Sequence, residues 1–104
     1  MQHDILFAPE AVEDLGNLAA NVRAEIRDSI ERQLRHEPTK TSRSRIKRLR
    51  GLSRPQYRLR VGDDIRVFYD VTERAVEILG IVLKSEVLEW LERYGENDER
   101  NSSV

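Results

Sequence analysis

The stretch of sequence that decides the fold is Tyr57-Arg58-Leu59-Arg60-Val61-Gly62-Asp63-Asp64-Ile65-Arg66-Val67-Phe68-Tyr69. Apolar and polar side chains alternate on both sides of a turn at residues 62–64, and a period of two is typical of paired β-strands. If those three residues form the loop, Val61 lies opposite Ile65, and the pairing runs back until Tyr57 faces Tyr69. A two-residue loop would mix apolar and charged side chains on each face, so register argues against it. The pattern therefore predicts an antiparallel hairpin with a three-residue loop.

The predicted register divides the side chains of the hairpin between two faces of a sheet. The first face is apolar and consists of Tyr57, Leu59, Val61, Ile65, Val67 and Tyr69. The second face consists of Arg58, Arg60, Arg66 and Phe68. Arg60 lies directly opposite Arg66, which folding alone would not favour, whereas an anion bound between them would remove the repulsion. Guanidinium groups match phosphate geometry, so the pattern favours a phosphodiester site; the alternative is that these arginines only keep an exposed face soluble.

Further elements are predicted on both sides of the hairpin. Pro9 suits the first turn of a helix, and Asn21 suits the N-cap of a second helix, because apolar residues recur at helical spacing after each. Residues 5–7 and 75–83 read as strands, and Ser85 can cap a last short helix. The sequence predicts an α+β fold with a small antiparallel sheet of about four strands, an N-terminal helical hairpin packed on one face, and a short C-terminal helix.

The length of 104 residues suits one domain, predicted over residues 1–94, and residues 95–104 are expected to be a disordered tail. Cysteine is absent from the sequence, which excludes disulfides and thiolate chemistry. His3 and His36 stand apart from other candidate ligands, so no metal or cofactor is expected. No apolar run approaches the roughly 20 residues that span a bilayer, and the N-terminus does not read as a signal peptide. These features predict a cytoplasmic protein without a membrane partner.

Positive charge is concentrated in the middle of the chain. Ten Lys or Arg residues and only two acids lie between residues 39 and 66, although the whole chain has a net charge of −1. Such a patch suits a polyanion better than a neutral metabolite. The predicted phosphate-contacting or RNA-contacting residues are Arg45, Lys47, Arg48, Arg50, Arg54 and Phe68. For Phe68, stacking on a base is weighed against burial under the C-terminal helix.

Two motifs of the central segment are distinctive. They are Lys47-Arg48-Leu49-Arg50-Gly51 and Tyr57-Arg58-Leu59-Arg60, followed on the next strand by Arg66-Val67-Phe68-Tyr69. Together with the order of elements up to about Tyr94, they resemble the RelE/ParE superfamily of bacterial toxins, and the RelE branch more than the ParE branch. The resemblance implies the toxin of a type II toxin–antitoxin system, with a cognate antitoxin protein as partner. RelE-like members enter the ribosomal A site and cleave the messenger RNA by attack of a ribose 2′-hydroxyl on the adjacent phosphate.

The resemblance also implies roles for residues of this chain. It suggests a metal-independent endoribonuclease that acts on the ribosome and its messenger RNA and inhibits translation. The implied catalytic residues are Arg58, Arg60, Arg66 and Lys84. Arginine keeps its proton at physiological pH and is a poor base, so the implied role of the arginines is to stabilise charge on a pentacoordinate phosphate.

Two alternatives stay open. The first is a ParE-like toxin that inhibits DNA gyrase and is not a nuclease. The second is a catalytically weak member of the superfamily that serves as an interaction or repression module. The second alternative rests on two departures from the family pattern: arginines stand where family nucleases often carry Lys or His, and Leu88 stands where many carry a tyrosine.

Overall fold

The computed structural model describes residues 2–97. Its three α-helices are α1 (Pro9–Gly16), α2 (Ala20–Leu34) and α3 (Val87–Tyr94). The first strands are β1 (Asp4–Phe7), β2 (Ile46–Arg48) and β3 (Leu52–Arg54). The remaining strands are β4 (Tyr57–Val61), β5 (Ile65–Val71), β6 (Ala75–Leu83) and β7 (Glu96–Asn97). A 3₁₀ turn, Lys84–Glu86, joins β6 to α3.

The main sheet has five strands in the order β1-β6-β5-β4-β2, and β3 pairs with β7 in a separate two-stranded sheet. This arrangement confirms the predicted α+β class, with two differences in the sheet. β1 pairs with β6 in parallel, because the chain crosses the sheet through α1 and α2 before it returns to that edge. β2 adds a fifth strand, because Ile46 is buried opposite Leu59 in the adjacent strand β4.

The hairpin of β4 and β5 has the predicted register. Its five cross-strand pairs are Tyr57–Tyr69, Arg58–Phe68, Leu59–Val67, Arg60–Arg66 and Val61–Ile65. Gly62 opens the connecting loop with φ of +60°, a left-handed conformation that costs glycine little. The three-residue loop therefore fixes which side chains face the helices.

The main core lies between the first face of the hairpin and the two N-terminal helices. Leu59, Val67 and Tyr69 have no exposed surface and belong to the same apolar cluster as Ile26 and Ile30 of α2. The buried hydroxyl of Tyr69 donates a hydrogen bond to a backbone carbonyl 2.8 Å away, so its burial leaves no polar atom unpaired. The predicted apolar face is thus confirmed.

Two predicted helix caps are wrong. α2 begins at Ala20, one residue before Asn21, and the carbonyl of Ala19 accepts a helical hydrogen bond from the N–H of Arg23 at 2.9 Å. Ser85 lies inside the 3₁₀ turn and does not cap α3. In both places the helix begins at a residue other than the one that the local preference for a capping side chain predicts.

The C-terminal helix α3 covers part of the second face of the sheet. The indole ring of Trp90 stacks on Phe68, with 4.8 Å between the ring centroids, and it passes directly over Gly80 of β6. After α3 the chain forms β7, so the first part of the predicted tail pairs with β3. The rest of that tail, residues 98–104, lies outside the described residues.

Among the helices of the described chain, none is both long and apolar enough to cross a membrane.

Replacing Gly80 by Ala should destabilise the protein, because the added methyl group would overlap the indole of Trp90. We expect a loss of about 1–3 kcal/mol, as is typical of overpacking, and a change in tryptophan fluorescence. The matched control is Gly16→Ala at the end of α1, where an added methyl group would meet no atom within 4 Å. That variant should gain about 0.4–1 kcal/mol. Denaturant unfolding followed by fluorescence measures both, and equal stabilities would contradict the close fit at residue 80.

Candidate nucleic-acid interface

Five cations share the face of the sheet that points away from α1 and α2, and we call them the cationic face. They are Arg45, Lys47, Arg58, Arg60 and Arg66. Lys47 pairs with Arg58 between β2 and β4, and Arg60 pairs with Arg66 between β4 and β5. The backbone N–H of Arg60 donates to the carbonyl of Arg45 at 2.8 Å, which extends the same row to the segment before β2. Since cross-strand partners point to one side of a sheet, the cations form a continuous surface over three adjacent strands.

Arg58 is a partly buried cation of this face that lacks a short hydrogen bond or an ion pair within the described chain. Its Nε is buried and has no hydrogen-bond partner among residues 2–97, and its Nη2 makes only a long contact of 3.4 Å with the carbonyl of Ser44. Burial lowers the pKa of Arg58, and the charges of Arg66 and Arg60 lower it further. A buried donor without a partner is rare in proteins, and a bound anion would satisfy it.

Arg66 is buried, with 7% of its surface exposed. Its Nη1 donates to two backbone carbonyls, those of Asp63 at 3.1 Å and Ile65 at 2.9 Å. Among the described residues no carboxylate forms an ion pair with this guanidinium. The carbonyls satisfy hydrogen bonds without neutralising the charge, so Arg66 keeps its positive potential beside Arg58.

Arg60 is the member of the cationic face that has an acidic partner. Its Nη2 lies 2.5 Å from Oδ1 of Asp63, and its Nε donates to the carbonyl of Gly62 at 2.9 Å. The Asp63 side chain is 87% exposed, and an ion pair in such a setting contributes only about 0–1 kcal/mol. Two of the five N–H donors of the guanidinium are used in this way, so others can still bind an anion.

Lys84 lies at the same end of the sheet. Its backbone N–H donates to the carbonyl of Asp64 at 2.7 Å, which places it beside the loop that joins β4 to β5. Its side chain is exposed to solvent. The structure thus brings together the three arginines predicted to be catalytic and places Lys84 next to them.

The basic side chains of the segment before the hairpin lie on different surfaces of the protein. Lys47 belongs to the cationic face, whereas Arg48 points to the opposite face, with its guanidinium 5.1 Å from the ring centroid of Tyr57. Arg50 is exposed and lines a shallow groove of about 630 Å³ formed by residues around β2. Because Arg48 lies on the opposite face, it is not placed to contact a nucleic acid bound on the cationic face. This placement argues against its predicted phosphate contact.

Arg54 has a structural role that the sequence did not indicate. Its Nε lies 3.1 Å from a carboxylate oxygen of Asp70, and its Nη2 lies 2.7 Å from one of Glu77. Two carboxylates therefore already compensate the charge of Arg54 and hold β3 against β5 and β6. This pairing argues against the prediction that Arg54 is a phosphate ligand.

Phe68 does not offer a stacking surface. It has no exposed area, because Trp90 lies parallel to its ring at a centroid distance of 4.8 Å. The predicted contact between Phe68 and a base is wrong for this conformation, and the alternative, burial under the C-terminal helix, is what the structure shows. The indole of Trp90, rather than a nucleobase, occupies the ring face of Phe68.

Asp63 contacts two of the arginines, and the sequence analysis did not predict these contacts. It meets Arg60 through its carboxylate and Arg66 through its backbone carbonyl. The predicted loop of residues 62–64 could have indicated the contact with Arg60, because the turn brings residue 63 back beside residue 60.

Within the described chain, no group of three or more His, Cys, Asp or Glu residues is placed to hold a metal ion.

Replacing Arg58 by Gln should leave the melting temperature unchanged or raise it, because the change removes a partly buried charge and its repulsion from Arg66 and Arg60. For a domain of this size, each 1 kcal/mol of relief corresponds to about 4–8 °C. Added salt should stabilise the wild-type chain more than the variant, since salt screens the same repulsion. Calorimetry at low and high salt measures this. The control is Arg32→Gln, which loses only an exposed pair with Asp28; a larger loss of stability in the Arg58 variant would contradict the uncompensated charge.

The sequence and fold of this chain were compared with those of known proteins, and both have relatives. The model of a family described as the ParE toxin of type II toxin–antitoxin systems matches residues 5–88. No curated protein matches the chain.

Solved structures resemble the whole domain at low sequence identity. A chain of the RelB-RelE antitoxin–toxin complex from Methanococcus jannaschii is 22% identical, with a TM-score of 0.59 over 82% of this chain and 96% of that one. A chain of the RelBE2 toxin–antitoxin complex from Mycobacterium tuberculosis is 21% identical, with a TM-score of 0.61 over 81% and 100%. A chain of the Escherichia coli DinJ-YafQ toxin–antitoxin complex is 14% identical, with a TM-score of 0.61 over 84% and 98%. At such identities these structures show a common fold.

The family model covers most of the chain, from β1 into α3, and so includes every strand of the cationic face. The resemblance read from the sequence to the RelE/ParE superfamily is confirmed, whereas the preference for its RelE branch stays a prediction. This chain belongs to the ParE toxin family of type II toxin–antitoxin systems, within the RelE/ParE superfamily.

Proposed function

We propose that this toxin binds messenger RNA on its cationic face and cleaves it on the ribosome, which inhibits translation. The observation that carries the proposal is the uncompensated guanidinium of Arg58, whose buried Nε has no partner within residues 2–97 and whose charge is near those of Arg60 and Arg66. A soluble sheet face needs charge, but it does not need a buried donor without a partner beside two like charges. A phosphodiester between the arginines would accept these hydrogen bonds and remove the repulsion.

The proposed chemistry is attack of a ribose 2′-hydroxyl on the adjacent phosphate. Negative charge grows on the non-bridging oxygens as the pentacoordinate phosphate forms, and preorganised cations lower its energy. Arg58, Arg60 and Arg66 would supply this charge, with Lys84 adding to the potential at the end of the sheet. Arg45 and Lys47 would hold phosphates along the same strand of RNA, and Arg50 would extend the contact into the groove beside β2.

The proposed partners are the ribosome with its messenger RNA and a cognate antitoxin. Three of the similar structures are toxin–antitoxin complexes, which supports an antitoxin for this family member as well. An acidic or amphipathic antitoxin would complement the cationic face electrostatically. The proposed site of action is the cytoplasm, where translating ribosomes are found.

A second candidate function is inhibition of DNA gyrase without nuclease activity. The match to the ParE toxin model favours it, because gyrase inhibition is the activity that a resemblance to the ParE branch implies. A surface that binds a protein has less need of the buried, unpaired donor of Arg58, so the geometry favours RNA. The two functions predict different damage in the cell, cut messenger RNA in one case and broken DNA in the other.

Induced expression without the partner gene should arrest bacterial growth, and Arg58→Gln should relieve the arrest. Removing one preorganised donor to a charged transition state costs about 10²–10³-fold in rate, which is enough to restore growth. Sequencing of RNA 5′ ends should show cuts in the ribosomal A site for the wild-type chain and few for the variant.

The matched control for growth is Arg32→Gln, which makes the same change of charge on the helical side of the molecule and should stay toxic. Harmless expression of the wild-type chain, or DNA damage without cuts in messenger RNA, would overturn the proposal. The second of these results would support gyrase inhibition.

Replacing Lys47 by Gln should weaken binding to single-stranded RNA at every sequence and make it less sensitive to salt. Loss of one phosphate contact lowers the slope of log affinity against log salt by about 0.7. Arg54→Gln should leave that slope unchanged, because Asp70 and Glu77 already compensate its charge. Fluorescence anisotropy over a salt series measures both variants. Equal slopes for wild type and the Lys47 variant would remove β2 from the proposed RNA path.

A further inference from the structure

The proposed cleavage requires a group that accepts the proton of the 2′-hydroxyl, and the cationic face consists of groups that are already protonated. Arginine does not give up its proton in proteins, so Arg58, Arg60 and Arg66 are unable to serve. If the proposed function holds, the acceptor must be a different residue close to these arginines, and the loop that joins β4 to β5 contacts two of them.

The two histidines of the described chain lie away from this face, and Lys84 beside it is proposed to act as a cation. His3 precedes β1, at the far edge of the sheet from β2, and His36 follows α2 and lines a groove there. Tyr69 is buried on the helical side, and its hydroxyl is occupied by a backbone carbonyl. Two carboxylates, those of Asp63 and Asp64, belong to the loop beside the arginines. Oε1 of Glu25 in α2 also comes within 3.6 Å of the place that a side chain at Gly62 would occupy, but within residues 2–97 it forms no ion pair with an arginine.

The structure distinguishes these two carboxylates. Oδ1 of Asp63 lies 2.5 Å from Nη2 of Arg60, so the carboxylate is already in contact with a guanidinium proposed to hold the phosphate. The carbonyl of the same residue binds Nη1 of Arg66 at 3.1 Å, which ties the loop to the second arginine. Asp64 uses its backbone carbonyl to bind the N–H of Lys84, and its side chain makes no hydrogen bond or ion pair within residues 2–97.

We infer that the carboxylate of Asp63 is the proton acceptor of the cleavage reaction. A phosphate bound to the remaining donors of Arg60 would share that guanidinium with Asp63. The ribose 2′-hydroxyl attached next to this phosphate would then lie within reach of a side chain that is 87% exposed. General bases act within hydrogen-bond distance of the proton they remove, and contact through one guanidinium provides that proximity.

The step conserves atoms and electrons. The 2′-oxygen forms a bond to phosphorus as its proton passes to a carboxylate oxygen of Asp63, and the bond between phosphorus and the 5′-oxygen breaks. The departing 5′-oxygen takes a proton from water, and Asp63 returns its proton to solvent. The products are an RNA ending in a 2′,3′-cyclic phosphate and an RNA beginning with a 5′-hydroxyl. The arginines stabilise charge throughout and exchange no proton.

Asp63→Asn tests the inference, with Asp64→Asn as the matched control in the same turn. Cleavage is measured on ribosomes programmed with messenger RNA, and binding is measured with an RNA oligonucleotide that carries a 2′-deoxy sugar at the cleavage position. Removing a general base lowers the rate by about 10²–10⁴-fold, so we expect that loss for the Asp63 variant only. Binding of the 2′-deoxy probe should stay the same or become tighter, because a negative charge leaves Arg60.

Each result separates this role from the others. Cleavage by the Asp63 variant at the wild-type rate would overturn the inference and leave the proposed function standing. An equal loss in the Asp63 and Asp64 variants would assign the effect to the charge of the loop, and loss of probe binding together with cleavage would assign it to the structure of the loop. Both results would overturn the role of Asp63 as base. Absence of cleavage by the wild-type chain would overturn the proposed function and the inference together.

Discussion

Burial of the apolar side of one hairpin against two helices determines on which face of the sheet the charges of the hairpin lie. Leu59, Val67 and Tyr69 are fully buried, and each such side chain contributes about 1.5–3 kcal/mol. A pair of like charges directly across a ladder costs about 0.2–1 kcal/mol. The apolar term is larger, so the register that buries three large side chains also places Arg60 opposite Arg66. The register of the core therefore sets the position of the cationic face, although the like charges placed there do not stabilise the fold.

The two faces of the sheet are covered unequally, and this difference positions the candidate interface. α1 and α2 cover the first face, whereas α3 reaches only part of the second, where Trp90 lies on Phe68 and Gly80. The cations on and next to β2 and β4 stay exposed or partly exposed to solvent. Unlike Arg54, which is held by Asp70 and Glu77, Arg58 and Arg66 make no ion pair within the described chain. The partners of an arginine thus distinguish Arg54, which holds strands together, from the arginines that are proposed to bind a ligand.

Local pattern was sufficient to predict the hairpin, because the turn and the period of two constrain each other. The loop of residues 62–64 and the alternation on both sides of it are enough to predict the pairing of Arg60 with Arg66, although burial against the helices stabilises the same register. The parallel pairing of β1 with β6 joins segments some 70 residues apart in the chain, from Asp4 to Ala75, and no local signal carries it. The partners of Arg54 were hidden for the same reason, since Asp70 and Glu77 approach it only in the folded sheet. Asp63 was hidden because its significance lies in contact with two arginines rather than in its own type.

The close approach of Trp90 to Gly80 has an evolutionary consequence. The indole ring occupies the space that any side chain at residue 80 would need, so neither position can change freely while the other is kept. Substitutions at the two sites would show strong non-additivity, as neighbours in direct contact do. Homologous toxins that carry a bulkier residue in place of this glycine should therefore carry a smaller one in place of the tryptophan, and in them the ring of Phe68 would be open to ligands.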